Sequence, residues 1–249
     1  ADINDDGNNE VLFGTFDGEV ICLYGENNSI FWTHSTGGSP IEGGLVVSDI
    51  DFDGNMDIVF GTLSTGEIVC LNGIDGTEKW ATPCGGQIGT TPAIADVDGD
   101  FDKEIFFGDL SGNFYSYDHT GTEIDSQILS ATNYADCSIT DLYGDGNYKI
   151  LVPTNNPGYL YVLNAEDLTI NATRNLGSGS NLKSSPIAVD VNKDGKKEIF
   201  IGTPTNEIRS FYHNFTNFWS FSVGNEITAS PVIVDLECNQ DYTAFFPCR

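Results

Sequence analysis

The chain has 249 residues, of which 37 are acidic and 10 are Lys or Arg, so its formal net charge is −27. Proteins that bind nucleic acids or anionic membranes present clustered Lys and Arg. This balance therefore argues against DNA, RNA and anionic membrane surfaces as partners and favours cations. Hydrophobic residues make up 39% of the chain, which is enough for a folded core. No stretch approaches the roughly 18 uninterrupted apolar residues of a membrane helix, so no membrane insertion is expected.

The composition also indicates the fold class. Glycine contributes 28 residues, Asn and Asp are abundant, and runs of good helix formers are almost absent. Turn-forming residues at this density, placed between short apolar runs, favour an all-β chain.

Six similar segments follow one another along the chain. Each starts with an Asp-rich stretch and continues into a short apolar run, as in SDIDFDGNMDIVFG from Ser48. The first aspartates recur about every 47 residues, and they are Asp2, Asp49, Asp96, Asp141, Asp190 and Asp235. The repeats therefore cover residues 1–41, 42–88, 89–134, 135–182, 183–227 and, as a partial repeat, 228–249.

Each full repeat predicts four short strands. In the third repeat these are residues 92–95, 104–107 and 113–117, followed by a weaker run after His119. Four strands separated by Gly, Asp and Asn turns, repeated every 40–50 residues, are typical of a β-propeller blade. We therefore predict a single β-propeller domain, or part of one, over residues 1–249, with five full-length repeats' worth of blades and an incomplete end. The alternative is a β-sandwich with fortuitous spacing.

Oxygen-bearing side chains alternate along the connection between the first and second strands of a repeat. In the second repeat, Asp49, Asp51 and Asp53 precede Gly54, and Asp57 follows. Alternate carboxylates on a tight loop converge on one cation, the glycine allows the sharp turn, and hard Ca²⁺ prefers such oxygen ligands. Four repeats share the pattern, which predicts about four Ca²⁺ sites, with a main-chain carbonyl from the seventh loop position. The predicted ligands are Asp2, Asn4, Asp6, Asn8 and Glu10; Asp49, Asp51, Asp53, Asn55 and Asp57; Asp96, Asp98, Asp100, Asp102 and Glu104; and Asp190, Asn192, Asp194, Lys196 and Glu198.

Three loops depart from this pattern. Phe101 replaces the glycine of the third loop, which puts the geometry of its turn in question. After Asp141, Tyr143 and Lys149 take ligand positions, so that either a lysine ammonium replaces the charge of the metal or the loop binds no ion. The loop after Asp235 keeps one further acid but loses other ligands, which weakens that site.

The repeats resemble a known family of propeller blades. SDIDFDGNMDIVFGT from Ser48 and VDVNKDGKKEIFIGT from Val189 are similar to the calcium-loop part of FG-GAP or VCBS-type repeats, as in integrin α-subunit propellers. GEIVCLNGIDGTEKW from Gly66 is similar to the third and fourth strands of PQQ-type propeller repeats. The resemblance implies Ca²⁺ in the loops of one face, a protein or glycan ligand on the opposite face, and an extracellular or cell-surface setting.

No catalytic site is evident in the sequence. The three histidines are dispersed, the adjacent cysteine pair of quinoprotein dehydrogenases is missing, and nearly all acids belong to the loops. We therefore expect a non-catalytic binding, adhesion or structural module. One alternative is a calcium-dependent polysaccharide lyase. Another is a self-assembling extracellular filament subunit that exchanges strands at its incomplete ends, because the first repeat lacks the inner strand and the last lacks its third and fourth.

Cysteines and sequons bear on the compartment. Six cysteines in an acidic, calcium-demanding chain favour an oxidising, extracellular location. Cys22 and Cys70 lie in third strands and are expected to be buried apolar residues, whereas Cys84 and Cys137 form the preferred disulfide pair. The glycosylation sequons are at Asn27, Asn171 and Asn214.

Overall fold

The computed structural model describes residues 1–129, 132, 135–177, 182–203, 205–225, 227, 229–235 and 242–245. These residues form strands and turns, and no helix occurs among them, so none is present that could span a membrane. The strands are β1 Glu10–Gly14, β2 Glu19–Tyr24, β3 Ile30–Ser35, β4 Val46–Ser48, β5 Asp57–Gly61, β6 Glu67–Asn72, β7 Glu78–Pro83, β8 Ala93–Ala95, β9 Glu104–Gly108, β10 Asn113–Tyr117, β11 Glu123–Ile128, β12 Ser138–Thr140, β13 Lys149–Thr154, β14 Gly158–Asn164, β15 Ile170–Gly177, β16 Ile187–Val189, β17 Glu198–Gly202, β18 Glu207–Phe211, β19 Asn217–Ser222, β20 Val232–Asp235 and β21 Tyr242–Phe245.

The strands form antiparallel sheets in which neighbours along the chain are neighbours in space. The four-stranded sheets are β4–β7, β8–β11, β12–β15 and β16–β19, while β1–β3 and β20–β21 form smaller sheets. Each sheet lies within one sequence repeat, and the two smaller sheets belong to the first and last repeats. The predicted fold class, an all-β propeller of four-stranded blades, is confirmed.

The second strand of each four-stranded sheet is the most buried. Every residue of β5, β9, β13 and β17 is buried, whereas the outermost strand β11 is mostly exposed. A strand flanked by strands on both sides, with packed side chains on both faces, reads as a continuous apolar run, as DIVFG and EIFFG do. The short inner strands carry small or β-branched residues.

The chain divides into two compact units, residues 1–128 and 129–249. In the first unit, Val20 and Cys22 of β2 pack with Ile58 and Phe60 of β5, so neighbouring sheets share a core. In the second unit, side chains of β13, β14, β17 and β18 form a single apolar cluster, which includes Leu151, Val162, Ile199 and Phe211.

Tryptophan side chains of two outermost strands link neighbouring sheets of the first unit. Trp32 donates its Nε1–H to the carbonyl of Gly73 at 2.8 Å, and Trp80 donates to the carbonyl of His119 at 2.9 Å. Each indole lies over a glycine of the next sheet, Gly76 or Gly121, so closely that a Cβ there would come within 2.5 or 2.7 Å of the ring. Only glycine leaves room for this contact.

The cysteines meet the sequence expectations in part. Cys22 and Cys70 are fully buried, as predicted. No disulfide is present within the described part of the chain, where Cys84 carries a free thiol 3.7 Å from the hydroxyl of Tyr117. The bond between Cys84 and Cys137 is therefore not formed in this structure and stays a prediction. Cys238 and Cys248 lie outside the described residues.

Candidate metal centres

Five nine-residue segments share one backbone course; four of them contain the predicted ligands, and the fifth is the divergent segment after Asp141. We name them loop 1 (residues 2–10), loop 2 (49–57), loop 3 (96–104), loop 4 (141–149) and loop 5 (190–198), and number the positions in each from one to nine. The carboxylate at position one accepts the backbone N–H of position six at 2.9–3.1 Å in every loop. The carboxylate at position five accepts the N–H of position seven at 2.7–3.0 Å. The sixth loop, after Asp235, falls mostly outside the described residues.

Two residues in each loop adopt the left-handed conformation, at positions four and six. In loop 2 these are Phe52 and Gly54, with φ of 55° and 91°. In loop 3 Gly99 takes position four, and Phe101 takes position six with φ of 81°. The turn that the replacement of glycine by Phe101 put in question is therefore formed, although a bulky side chain adopts this conformation at a cost in free energy.

The acid at position nine is the buried ligand of each predicted site. Glu10, Asp57, Glu104 and Glu198 are 3%, 1%, 7% and 0% exposed, and each accepts the backbone N–H of position two. The second oxygen of Glu10, Oε1, is buried and has no hydrogen-bond partner among the described residues. A buried carboxylate oxygen without a donor is costly, and a cation in the loop would compensate it.

Two loops bring three carboxylates together. In loop 2, one oxygen each of Asp49, Asp51 and Asp53 lie within 4.8 Å of one another, and in loop 3 Asp96, Asp98 and Glu104 do the same. Oxygens bound to one Ca²⁺ lie about 2.3–2.6 Å from it, so two on opposite sides are about 5 Å apart. The spacing of the oxygens within each group therefore fits one Ca²⁺ ion per loop.

Loop 2 differs from the others because a lysine enters it. Lys79 Nζ of β7 donates hydrogen bonds to Asp51 Oδ2 at 2.8 Å and to Asp57 Oδ1 at 2.9 Å. Burial alone would raise the pKa of Asp51, but the hydrogen bond and charge of Lys79 outweigh it and lower that pKa. At the more buried Asp57, burial prevails over Lys79 and raises the pKa. Sequence reasoning missed Lys79, whose partners lie 22 and 28 residues earlier.

The acids of the loop 3 triad form no ion pair with a described Lys or Arg. Burial, assisted by the charges of Asp98 and Asp100, raises the pKa of Glu104. The pKa of Asp100 is raised by desolvation and by the neighbouring carboxylates. His119 Nδ1 lies 3.4 Å from Asp102 Oδ2 at the edge of the loop, away from this acid triad. A divalent cation would relieve the repulsion within loop 3.

Loop 5 is closed by an amide. Asn192 Nδ2 donates to Glu198 Oε1 at 2.7 Å and to Asp194 Oδ2 at 3.2 Å, where a cation would otherwise bind. Burial and the charges of Asp194 and Asp190 raise the pKa of Glu198. Because the oxygen and nitrogen of an amide exchange places on rotation, Asn192 is able to offer its oxygen to an ion instead.

Loop 4 keeps the backbone but loses the acid cluster. The Tyr143 hydroxyl donates to Asn171 Oδ1 at 2.7 Å, and Lys149 Nζ lies 5.8 Å from the centre of the Tyr143 ring. Lys149 is 8% exposed and forms no ion pair with the described carboxylates. Among the described residues, loop 4 therefore has no group of three carboxylates like those of loops 2 and 3.

The predicted ligands at position seven lie on the loop turns. Their backbone N–H groups donate to the carboxylate at position five, and the residues are Asn8, Asn55, Asp102 and Lys196. Their service as carbonyl ligands stays a prediction.

The opposite ends of the strands carry a different polar centre that the sequence did not single out. Asp109, in the β9–β10 turn, is fully buried and accepts hydrogen bonds from Ser111 N, Asn113 N and Nδ2, and the Tyr115 hydroxyl, at 2.7–3.1 Å. Thr62 takes the corresponding place in the preceding sheet, β4–β7, and Thr203 takes it in the sheet β16–β19. Because its carboxylate accepts four hydrogen bonds from residues 111–115, Asp109 stabilises the conformation of the β9–β10 turn.

The sequon asparagines are exposed. Asn27 and Asn214 lie in the turns before β3 and β19, and their side-chain oxygens accept the N–H two residues later. Asn171 lies within β15 and accepts the hydrogen bond of Tyr143. Their glycosylation stays a prediction.

Comparison with known proteins identifies the fold. No protein-family model matches the chain, and no curated protein is similar to it in sequence. Similar solved structures include BamB from Moraxella catarrhalis, with 16% identity over 91% of this chain and a TM-score of 0.66. Sqt1 from Saccharomyces cerevisiae has 11% identity over 95% of the chain and a TM-score of 0.76. BBS1N, in complex with ARL6DN, has 11% identity over all of the chain and a TM-score of 0.69.

These are β-propeller-type proteins, and the likeness shows the propeller fold. The chain spans 64% of that BamB structure, 66% of Sqt1 and 74% of BBS1N. The resemblance to FG-GAP or VCBS-type repeats continues to rest on the loop motifs.

Proposed function

We propose that this chain is a calcium-stabilised, non-catalytic β-propeller module that binds a protein or glycan partner. The observation that carries the proposal is the acid triad of loop 3, whose three oxygens lie within 4.8 Å of one another and form no ion pair with a basic side chain of the described residues. The unpartnered Oε1 of Glu10 in loop 1 supports it independently. The ion would hold the loops in place and perform no chemistry.

Thermal unfolding in Ca²⁺ and in EDTA tests the metal role. Saturation of one independent site at 100 times its Kd stabilises the folded state by about 2.7 kcal/mol, so chelation should lower the melting temperature. Asp96→Asn should remove part of the Ca²⁺-dependent gain. Asp141→Asn is the matched control, because Asp141 makes the same backbone bonds at position one of loop 4 and should not affect that gain. Equal melting curves in Ca²⁺ and EDTA would contradict the proposal.

The proposed location is extracellular. Ordinary calcium loops fill at the Ca²⁺ concentrations outside cells and not at those of the cytosol. Each loop lies at one end of the strands of its own sheet, and the partner surface is proposed for the opposite strand ends, as the FG-GAP resemblance implies. Binding of candidate proteins and glycans to the Ca²⁺-loaded protein tests this, and polysaccharide turnover that a single substitution abolishes would instead favour a lyase.

A second function, self-association by strand exchange, is favoured by the edge of β1. Among the described residues no strand pairs with the inner side of β1, the side opposite β2, and Val11 and Phe13 are 52% and 41% exposed. A cavity of about 420 Å³ lies between β1 and residues 43–45. An inner strand of a second copy would complete this sheet. We expect the sedimentation coefficient of the wild type to increase with protein concentration, and Val11→Lys to make the protein monomeric. A wild type that is monomeric at every concentration excludes self-association.

A further inference from the structure

The outermost strand of each of the first five sheets along the chain carries an extra residue beside its loop. In these five sheets, the pairing between the outermost strand and its neighbour shifts by one residue at the same place. The strand pairs are β2–β3, β6–β7, β10–β11, β14–β15 and β18–β19. Such a bulge redirects a side chain. The residues at the bulge are Phe31, Lys79, Ile124, Asn171 and Phe218.

Two of these side chains show where the bulge points. Lys79 contacts Asp51 at position three of loop 2, and Asn171 accepts the hydroxyl of Tyr143 at position three of loop 4. Two different side chains thus reach the same loop position in sheets of both units. The other three sheets have Phe or Ile at the bulge, which brings no charge to the loop.

We propose that Lys79 is a tethered counter-ion that competes with Ca²⁺ for loop 2, so that this loop has a lower Ca²⁺ affinity than loop 3. The inference rests on the proposed calcium function. The Lys79 ammonium binds the carboxylates of Asp51 and Asp57, two of the predicted ligands. Asp51 Oδ1 is buried with no hydrogen-bond partner among the described residues, so Lys79 satisfies only part of the cluster.

Two consequences follow from a single positive charge at a site that suits a divalent ion. Without Ca²⁺, Lys79 keeps loop 2 folded by neutralising part of its charge, whereas loop 3 has no internal cation at its triad. With Ca²⁺, the ion must displace the ammonium from both carboxylates before it binds them. Loops 3 and 2 are therefore expected to fill in that order as Ca²⁺ increases.

Reciprocal substitutions test the competition. Lys79→Met keeps the length of the side chain and removes its charge, and it should raise the Ca²⁺ affinity of the weaker site about tenfold in calorimetric titration, equivalent to about 1.4 kcal/mol. Addition of Asp53→Ala to that variant should abolish the gain and so assign it to loop 2. Ile124→Lys introduces the lysine at the bulge of the third sheet, where Ile124 is 51% exposed, and should weaken the site of loop 3.

Stability provides a second measurement that does not depend on fitting binding sites. Lys79→Met should melt below the wild type in EDTA and regain the wild-type temperature in saturating Ca²⁺. Lys103→Met is the matched control, because Lys103 binds the Ser48 hydroxyl at 2.8 Å and no carboxylate of the triads. If the wild type binds Ca²⁺ and both reciprocal variants bind it with wild-type affinities, the competition is wrong and the calcium function stands. If the wild type and both variants bind none, the calcium function fails and the competition with it.

Discussion

At the scale of residues, the partner of a lysine near these loops depends on the element that carries it. Lys103 and Lys197, at position eight of loops 3 and 5, bind the hydroxyls of Ser48 and Thr140 at 2.8 and 2.7 Å. Their backbone N–H groups donate to the carbonyls of Ile50 and Leu142, at position two of the preceding loop. They therefore link neighbouring sheets, whereas Lys79, from an outermost strand, enters an acid cluster.

Buried thiols give a prediction at the same scale. Burial, followed by the charge of Glu10, raises the pKa of Cys22 from 9.0 to about 11, and burial raises the pKa of Cys70 further. Both side chains are fully buried, so iodoacetamide near pH 8 should leave them unmodified in the native protein and alkylate them in concentrated guanidinium chloride. Peptide mapping by mass spectrometry reads the result, and equal labelling in both conditions would show that these thiols are accessible.

The raised pKa of Cys22 determines how the stability of the folded state changes with pH. A thiol that holds its proton more tightly in the folded state stabilises that state fully below about pH 9, the pKa of the unfolded chain. This contribution is lost as the pH rises through about 11 for Cys22. Cys22→Ala should reduce the alkaline loss of stability in urea unfolding, and an unchanged pH profile would contradict the assignment.

At the scale of elements, the contact of tryptophan with glycine joins one sheet to the next. Trp32 is 7% exposed over Gly76, whereas Trp219, at the same register of β19, is 37% exposed. The indole buries a large apolar area and satisfies its N–H on a turn carbonyl. The turn glycine has φ of 69°, so both its conformation and the space above it exclude a side chain.

Gly76→Ala therefore should destabilise the protein by about 2–4 kcal/mol, since it adds a steric clash with Trp32 to the strain of a positive φ. Gly37→Ala is the matched control, because Gly37 has φ of 71° and no atom within 4 Å of the added Cβ. The control should cost about 1 kcal/mol. Urea unfolding measures the free energy of unfolding of both variants. Equal losses of stability would show that the clash with Trp32 adds nothing to the strain of the positive φ.

At the scale of the whole molecule, the charge of −27 makes the folded state sensitive to salt. Electrostatic repulsion is screened over about 10 Å at 0.1 M ionic strength and about 3 Å at 1 M. The EDTA-treated protein should therefore melt several degrees higher as KCl rises from about 0.05 to 0.5 M, with 1 kcal/mol corresponding to about 2–4 °C at this size.

The Ca²⁺-saturated protein serves as the control for that measurement. Its loops already carry neutralising cations, so its melting temperature should rise less over the same range of KCl. A rise of equal size in both forms would mean that the repulsion resides in the general surface charge and not in the loops.

The repeat, most of the strands and the turn-forming character of the loops could be predicted from the amino-acid sequence. The reason is that these features are local: alternating acids, a glycine or its substitute at position six, and apolar runs recur within a few residues of one another. Even Phe101 follows the loop backbone, because the carboxylate of Asp96 accepts its N–H as Asp49 accepts that of Gly54.

Which loops contain an internal partner for their acids depends on contacts between residues far apart in the sequence. Lys79 reaches loop 2 because a bulge in β7 redirects its side chain toward residues far back in the chain. Asn192 closes loop 5 by the orientation of one amide, and Glu10 Oε1 is buried with no hydrogen-bond partner in the described part of the chain. Such contacts depend on the relative placement of strands, and the spacing of residues in a repeat does not specify them.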